Sequence, residues 1–87
     1  MPETVCHVVT SQGVRLASHE GTTRERDGAV QVLVRPNGAT RRRWVDARLL
    51  HHEQKAARIA YRHALTRSYR GRVSLVDAAI HNANEGL

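Results

Sequence analysis

Histidine, cysteine and the acidic residues are the side chains that could bind a metal or move a proton, and their spacing gives them little to work with. His52-Glu53-Gln54-Lys55-Ala56 opens like the zinc-protease helix H-E-x-x-H. Ala56, however, stands where a second histidine would have to supply a ligand from the same helical face. The six histidines, at 7, 19, 51, 52, 63 and 81, include no pair at four-residue spacing, and His7 on a half-apolar face reads as a tolerated surface or edge residue rather than a ligand. Cys6 is the only cysteine and cannot form an internal disulfide, so a reducing compartment is the default. No serine, cysteine or histidine sits in a glycine-flanked elbow, and the six glycines form no phosphate loop. The residue types therefore predict a non-enzymatic protein with no cofactor and no metal site.

What remains is positive charge, and it is placed unevenly. The 87 residues carry 14 Lys+Arg against 8 Asp+Glu, a formal net charge of +6. Residues 29–45 hold four arginines and no acid, and residues 46–73 hold six arginines and one lysine against two acids, whereas both ends are acidic. Only Lys55 is lysine. Guanidinium groups favour fork-like contacts to phosphate or carboxylate over point-charge solvation. The bland alternative is a solvated, arginine-rich surface in which the stem of Arg42 covers apolar area.

These charges must be carried by elements, and Ala29–Leu50 organises them. Val30, Val32 and Val34 alternate with Gln31, Leu33 and Arg35, the period of a strand with one buried face. Pro36-Asn37-Gly38 predicts a three-residue hairpin loop with Gly38 in the left-handed position. That register places Val34 opposite Thr40, Val32 opposite Arg42 and Val30 opposite Trp44. Trp44 then joins the valine face, and Arg41 and Arg43 fall on the other face with Arg35. A two-residue Asn37-Gly38 turn would instead put Arg41 and Arg43 beside the valines, at a desolvation cost.

Upstream, Val5–Thr10 reads as a strand with Val5, His7 and Val9 on one face and Cys6 and Val8 on the other. Ser11-Gln12-Gly13 is a turn, and Val14–Ser18 is a second strand with Arg15 and Ala17 sharing a face. His19–Gly28, with two glycines and five charges, is expected to be a solvated loop. Downstream the period lengthens to about 3.6. Asp46 can cap a helix whose apolar members run from Leu49 to Leu65, with a break near His52 that would leave Asp46–Leu50 as a single turn. Arg48, His51, Lys55, Arg58 and Arg62 occupy the opposite arc. Ser68–Arg72 ends it, and Ser74 with Asp77 resembles the capping box of a second helix ending near Gly86.

Short antiparallel strands, a long polar loop after the second, and a one-turn segment after the last resemble an SH3-like small barrel over residues 5–50. The expectation is an α+β chain: a small antiparallel SH3-like β-barrel or curled sheet (1–50) followed by a C-terminal helical hairpin (51–87) that packs on it or on a partner. A chain this size has room for one core, and sharing it in a homo-oligomer would add stability. The absence of a long apolar run or a leader-like N-terminus predicts a cytoplasmic protein with no membrane contact.

Arg35, Arg41 and Arg43 on the hairpin, Lys55, Arg58 and Arg62 on the helix, and Arg70 and Arg72 beyond them are the candidate nucleic-acid-binding residues. They would contact the phosphate backbone of duplex DNA or structured RNA. Aromatic platforms are scarce, with Tyr69 the one expected to be free, which disfavours a single-strand reader. The rival reading is a non-catalytic protein-interaction module, such as a phage- or plasmid-type adaptor or inhibitor, docking on an acidic or nucleic-acid-binding protein partner.

Overall fold

A computed structural model describes residues 2–86. Five strands, β1 (Thr4–Thr10), β2 (Gly13–Arg26), β3 (Ala29–Pro36), β4 (Arg43–Asp46) and β5 (Leu50–His51), precede two helices, α1 (Gln54–Gly71) and α2 (Leu75–Asn84). All strand pairs are antiparallel, in the order β4-β3-β2-β1-β5. The fold is thus α+β, an open five-stranded sheet followed by two C-terminal helices. The expected closure into a barrel is not made, because β4 and β5 lie at opposite edges of the sheet and do not hydrogen-bond to each other.

The first hairpin follows its alternation. Thr10 pairs with Gly13, Val8 with Arg15 and Cys6 with Ala17, and the Thr10 hydroxyl donates to the Gly13 carbonyl at 2.8 Å and accepts from the Gln12 amide at 3.2 Å. The expected loop at His19–Gly28 is instead the continuation of β2. A bulge between His19 and Thr23, with Gly21 at φ 84°, absorbs the polar stretch, after which Thr23 pairs with Val32 and Arg24 with Gln31. The connection shrinks to Asp27-Gly28, whose positive φ values of 52° and 78° suit the twist of a two-residue hairpin.

The β3–β4 register also departs from expectation. The turn forms, with the Ala39 amide donating to the Pro36 carbonyl at 2.9 Å, but Thr40–Arg42 are spent on a further bend before β4. Val34 therefore faces Arg43, Leu33 faces Trp44 and Val32 faces Val45. The offset is odd, so the faces exchange. Trp44 leaves the valine face and Arg43 joins it. The physical reason lies just downstream: Val45 and Ala47 pack against the core and Leu49 is buried in it, and only the odd offset turns these aliphatic side chains inward, which sends the indole to the other face.

After β4, Asp46 caps a single 3-10 turn (Ala47–Leu49), its carboxylate accepting from the Arg48 amide at 2.9 Å. Leu50 and His51 then pair with Val8 and His7, a two-residue strand where the sequence suggests helix. One core joins Cys6, Val8, Val9, Ala17, Val32 and Val34 of the sheet to Leu49, Ala64, Leu75, Ala78 and Ala79. The helices pack against each other and on the sheet, α1 chiefly on β1, β2 and β5 and α2 on β1 and the 3-10 turn. Ser74 caps α2 as expected, accepting from the Asp77 amide at 3.1 Å. No helix of the described residues is long and apolar enough to cross a membrane.

Candidate nucleic-acid interface

α1 forms because residues 54–70 contain no glycine or proline and few β-branched side chains. It stops at Arg72, which adopts the left-handed conformation at φ 53°. Ala57 and Ala64 are fully buried, and Ala60 and Tyr61 pack beside the core, so the small residues of one side let the helix lie close to its neighbours. At 100° per residue, Lys55, Arg58, Arg62, Tyr69 and Arg70 fall on the opposite, exposed arc. From Lys55 to Arg70 this arc is about 22 Å long.

Two features of the arc bear on its chemistry. First, α1 contains no acidic residue, and Arg58 and Arg62 stand at i, i+4, a like-charge spacing that costs an isolated helix a few tenths of a kcal/mol. Second, among the described residues none of Lys55, Arg58, Arg62, Arg70 or Arg72 forms an ion pair. Arg67, on the inner side, is the contrast: it donates to Asn82 and to Glu85, each at 3.0 Å, and ties α1 to α2.

The hairpin arginines do not extend this surface as the sequence suggests. Arg35 keeps its expected face but is held by Glu3, with hydrogen bonds of 2.8 and 3.3 Å, and that guanidinium lowers the Glu3 carboxyl below its ordinary range. Arg42 pairs with Glu20 at 3.4 Å. Arg41 and Arg43 are exposed, with Arg43 on the valine face rather than opposite it. Because α1 packs chiefly on β1, β2 and β5 while β4 is the far edge strand, the cations fall into two groups on separate elements. Comparison with protein-family models, curated proteins and solved structures finds no match.

Arg24 and Trp44 form a contact the sequence did not suggest. The Arg24 guanidinium carbon lies 4.3 Å from the centroid of the Trp44 ring, and its Nε donates to Gln31 at 2.7 Å. Arg48 was expected on the outer helical arc. It instead grips Asp46 through two hydrogen bonds of 2.9 and 2.7 Å and reaches Asn84 at 2.9 Å, fixing the 3-10 turn to α2.

His19 and His52 bring their rings together, with centroids 5.6 Å apart. His19 Nδ1 accepts from the Gly21 amide at 3.1 Å, and its Nε2 faces His52 Nε2 at 3.4 Å. Among the described residues no three potential metal ligands cluster. Cys6 is fully buried, and burial pushes its thiol pKa up.

Proposed function

We propose that this protein binds nucleic acid through the outer arc of α1, gripping the phosphate backbone of duplex DNA or structured RNA. The observation that carries the reading is an 18-residue helix whose exposed cations, Lys55, Arg58, Arg62 and Arg70, have neither an acidic neighbour on the helix nor an ion-pair partner among the described residues. A polyanion relieves their mutual repulsion, and each phosphate contacted releases counterions. Arg72 extends the charge past the helix end. Tyr69, 89% exposed, offers a single stacking platform. Arg41 and Arg43 form a separate auxiliary patch, and Arg35 is occupied by Glu3. The strand order, with a 3-10 turn before the last strand, supports a likeness to SH3-like modules laid open at one seam, an architecture that serves many ligands.

A second reading is favoured by one observation: Ile59 and Leu65 are also exposed on this helix. Aliphatic residues among arginines suit an acidic protein surface as well as a phosphate backbone. Fluorescence anisotropy of a labelled DNA duplex and an RNA hairpin, titrated at several salt concentrations, tests the primary reading. With four phosphate contacts the log–log salt slope is about −3.6, roughly a 150-fold loss of affinity between 50 and 200 mM salt. Arg58→Gln with Arg62→Gln reduces the slope to about −1.8, roughly a 12-fold loss. Failure of both probes to bind at 50 mM salt refutes the proposal, and retention of one stoichiometric protein from a nuclease-treated lysate would then support the second reading.

A further inference from the structure

The sheet carries a second feature, away from the outer arc of α1. In the β1–β2 and β2–β3 ladders Cys6, Ala17 and Pro36 share a row, and Val8 stands opposite Arg15. Val34 stands opposite Arg43, and Val32 opposite Val45. Partners in a row point to the same side, so these residues share one face. On it lies a pocket of about 100 Å³ whose lining comes from β1 to β4 alone. Val8, Ala17, Val34 and Val45 make its apolar walls, and Arg15 and Arg43 stand at it as its two charged groups. The small side chain of Ala17, set between Val8 and Val34, leaves the space.

We propose that this pocket takes one aliphatic side chain of an acidic peptide segment, whose flanking carboxylates are held by Arg15 and Arg43. The volume, about 100 Å³, is smaller than the roughly 150 Å³ cavity that holds benzene, and so suits the four carbons of one aliphatic side chain rather than a ring. The charge fits too, since both arginines are exposed and neither pairs with an acid among the described residues. Guanidinium forks are the groups suited to bidentate carboxylate contact. A nucleobase fits less well. The lining has no aromatic ring on which a base could stack, and its one neutral polar side chain, Thr10, has its hydroxyl engaged by Gly13 and Gln12. The observed register brings Arg43 onto the valine face opposite Val34, where it lines the pocket together with Arg15.

The test is a heteronuclear NMR titration of the full chain with a terminally blocked Glu-Glu-Leu-Glu-Glu pentapeptide. Amide shifts centred on Val8, Ala17, Val34 and Val45, saturating in the millimolar range or tighter, are the expected result. Exchanging the peptide leucine for glycine, or introducing Arg15→Glu with Arg43→Glu at these exposed positions, weakens binding about tenfold or more. Ala17→Leu, which fills the space from within, does the same if it folds. Arg15→Glu alone, at a pocket residue outside the proposed nucleic-acid surface, weakens peptide binding but keeps the salt slope of duplex binding, so this proposal and the α1 reading fail separately. No shifts at 5 mM peptide, shifts confined to α1, equal binding of the glycine peptide, or displacement of the peptide by duplex DNA would each overturn it.

Discussion

Replacing Arg24 by alanine is the most direct test of how the β3–β4 hairpin is registered. Arg24 makes two contacts from one guanidinium, with its carbon 4.3 Å from the Trp44 ring centroid and a 2.7 Å hydrogen bond to Gln31. A cation over a half-exposed indole contributes about 0.5–1 kcal/mol, and a side-chain hydrogen bond about 0.5–1.5 kcal/mol net. The two share a donor group and do not simply add, so the substitution should cost about 1–2 kcal/mol. In a domain of this length that lowers the melting temperature by roughly 6–12 °C. Trp44 is the only tryptophan, so its emission reports both the melt and the local environment, and removing the Arg24 stem should shift the native emission to the red. Arg26→Ala, an exposed neighbour two residues along the same strand, is the control and should leave the melt within about 3 °C and the emission unchanged. In the register where Trp44 lies beside Val30 the indole is inside and Arg24 is too far to touch it. An Arg24→Ala protein with unchanged emission and an unchanged melt would therefore refute the observed pairing.

Val34 is 1% exposed at the centre of the sheet, so Val34→Ala should lower stability by about 2–3 kcal/mol through lost burial and a residual cavity, read as a lower urea midpoint at constant slope. His51 titrates below its ordinary value of 6.5 because burial, and secondarily His52, disfavours the charged form. A depressed histidine gives stability that is complete above pH 6.5 and is lost as pH falls from there through the folded value; His51→Gln should flatten that limb of a stability–pH curve. Asp46 is held below 3.8 chiefly by the hydrogen bond from Arg48, so its contribution is complete above that pH and disappears at lower pH still, a second limb that Asp46→Asn removes. Cys6, fully buried with a raised thiol pKa, should resist a thiol reagent in native buffer and react at the ordinary rate in denaturant; rapid native labelling would contradict its placement.

Where one residue type dictates one conformation, the fold was legible. The alternations of β1, β3 and the start of β2, the caps at Asp46 and Ser74 and the face of α1 were all readable from local patterns. Three features depend on something less local. β2 continues past Ser18 because Gly21 can bulge and Thr22-Thr23 can resume a strand, a decision made by the partner strand rather than by the charged stretch itself. β5 is two residues long, too short to show a period, and exists only because β1 offers a free edge. The β3–β4 register turned on three residues, Thr40–Arg42, that the turn motif did not need, and an odd count moves every side chain to the other face. The helix cations were found because helical geometry sorts them without tertiary help. Arg15 was placed on the right face, but its role could not be seen while Arg43 was assigned to the wrong one.

The sheet ends at two unpaired borders, and they are guarded differently. One is only two residues long and is followed at once by a helix. The other, β4, is introduced by Arg41 and Arg43, with Arg42 between them paired to Glu20, and the two unpaired cations disfavour an identical strand approaching edge to edge. Stacking of copies of the chain into extended cross-chain ladders is therefore expected to be disfavoured at this border. The protection is electrostatic, so concentrated salt should erode it, and light scattering would show that as self-association.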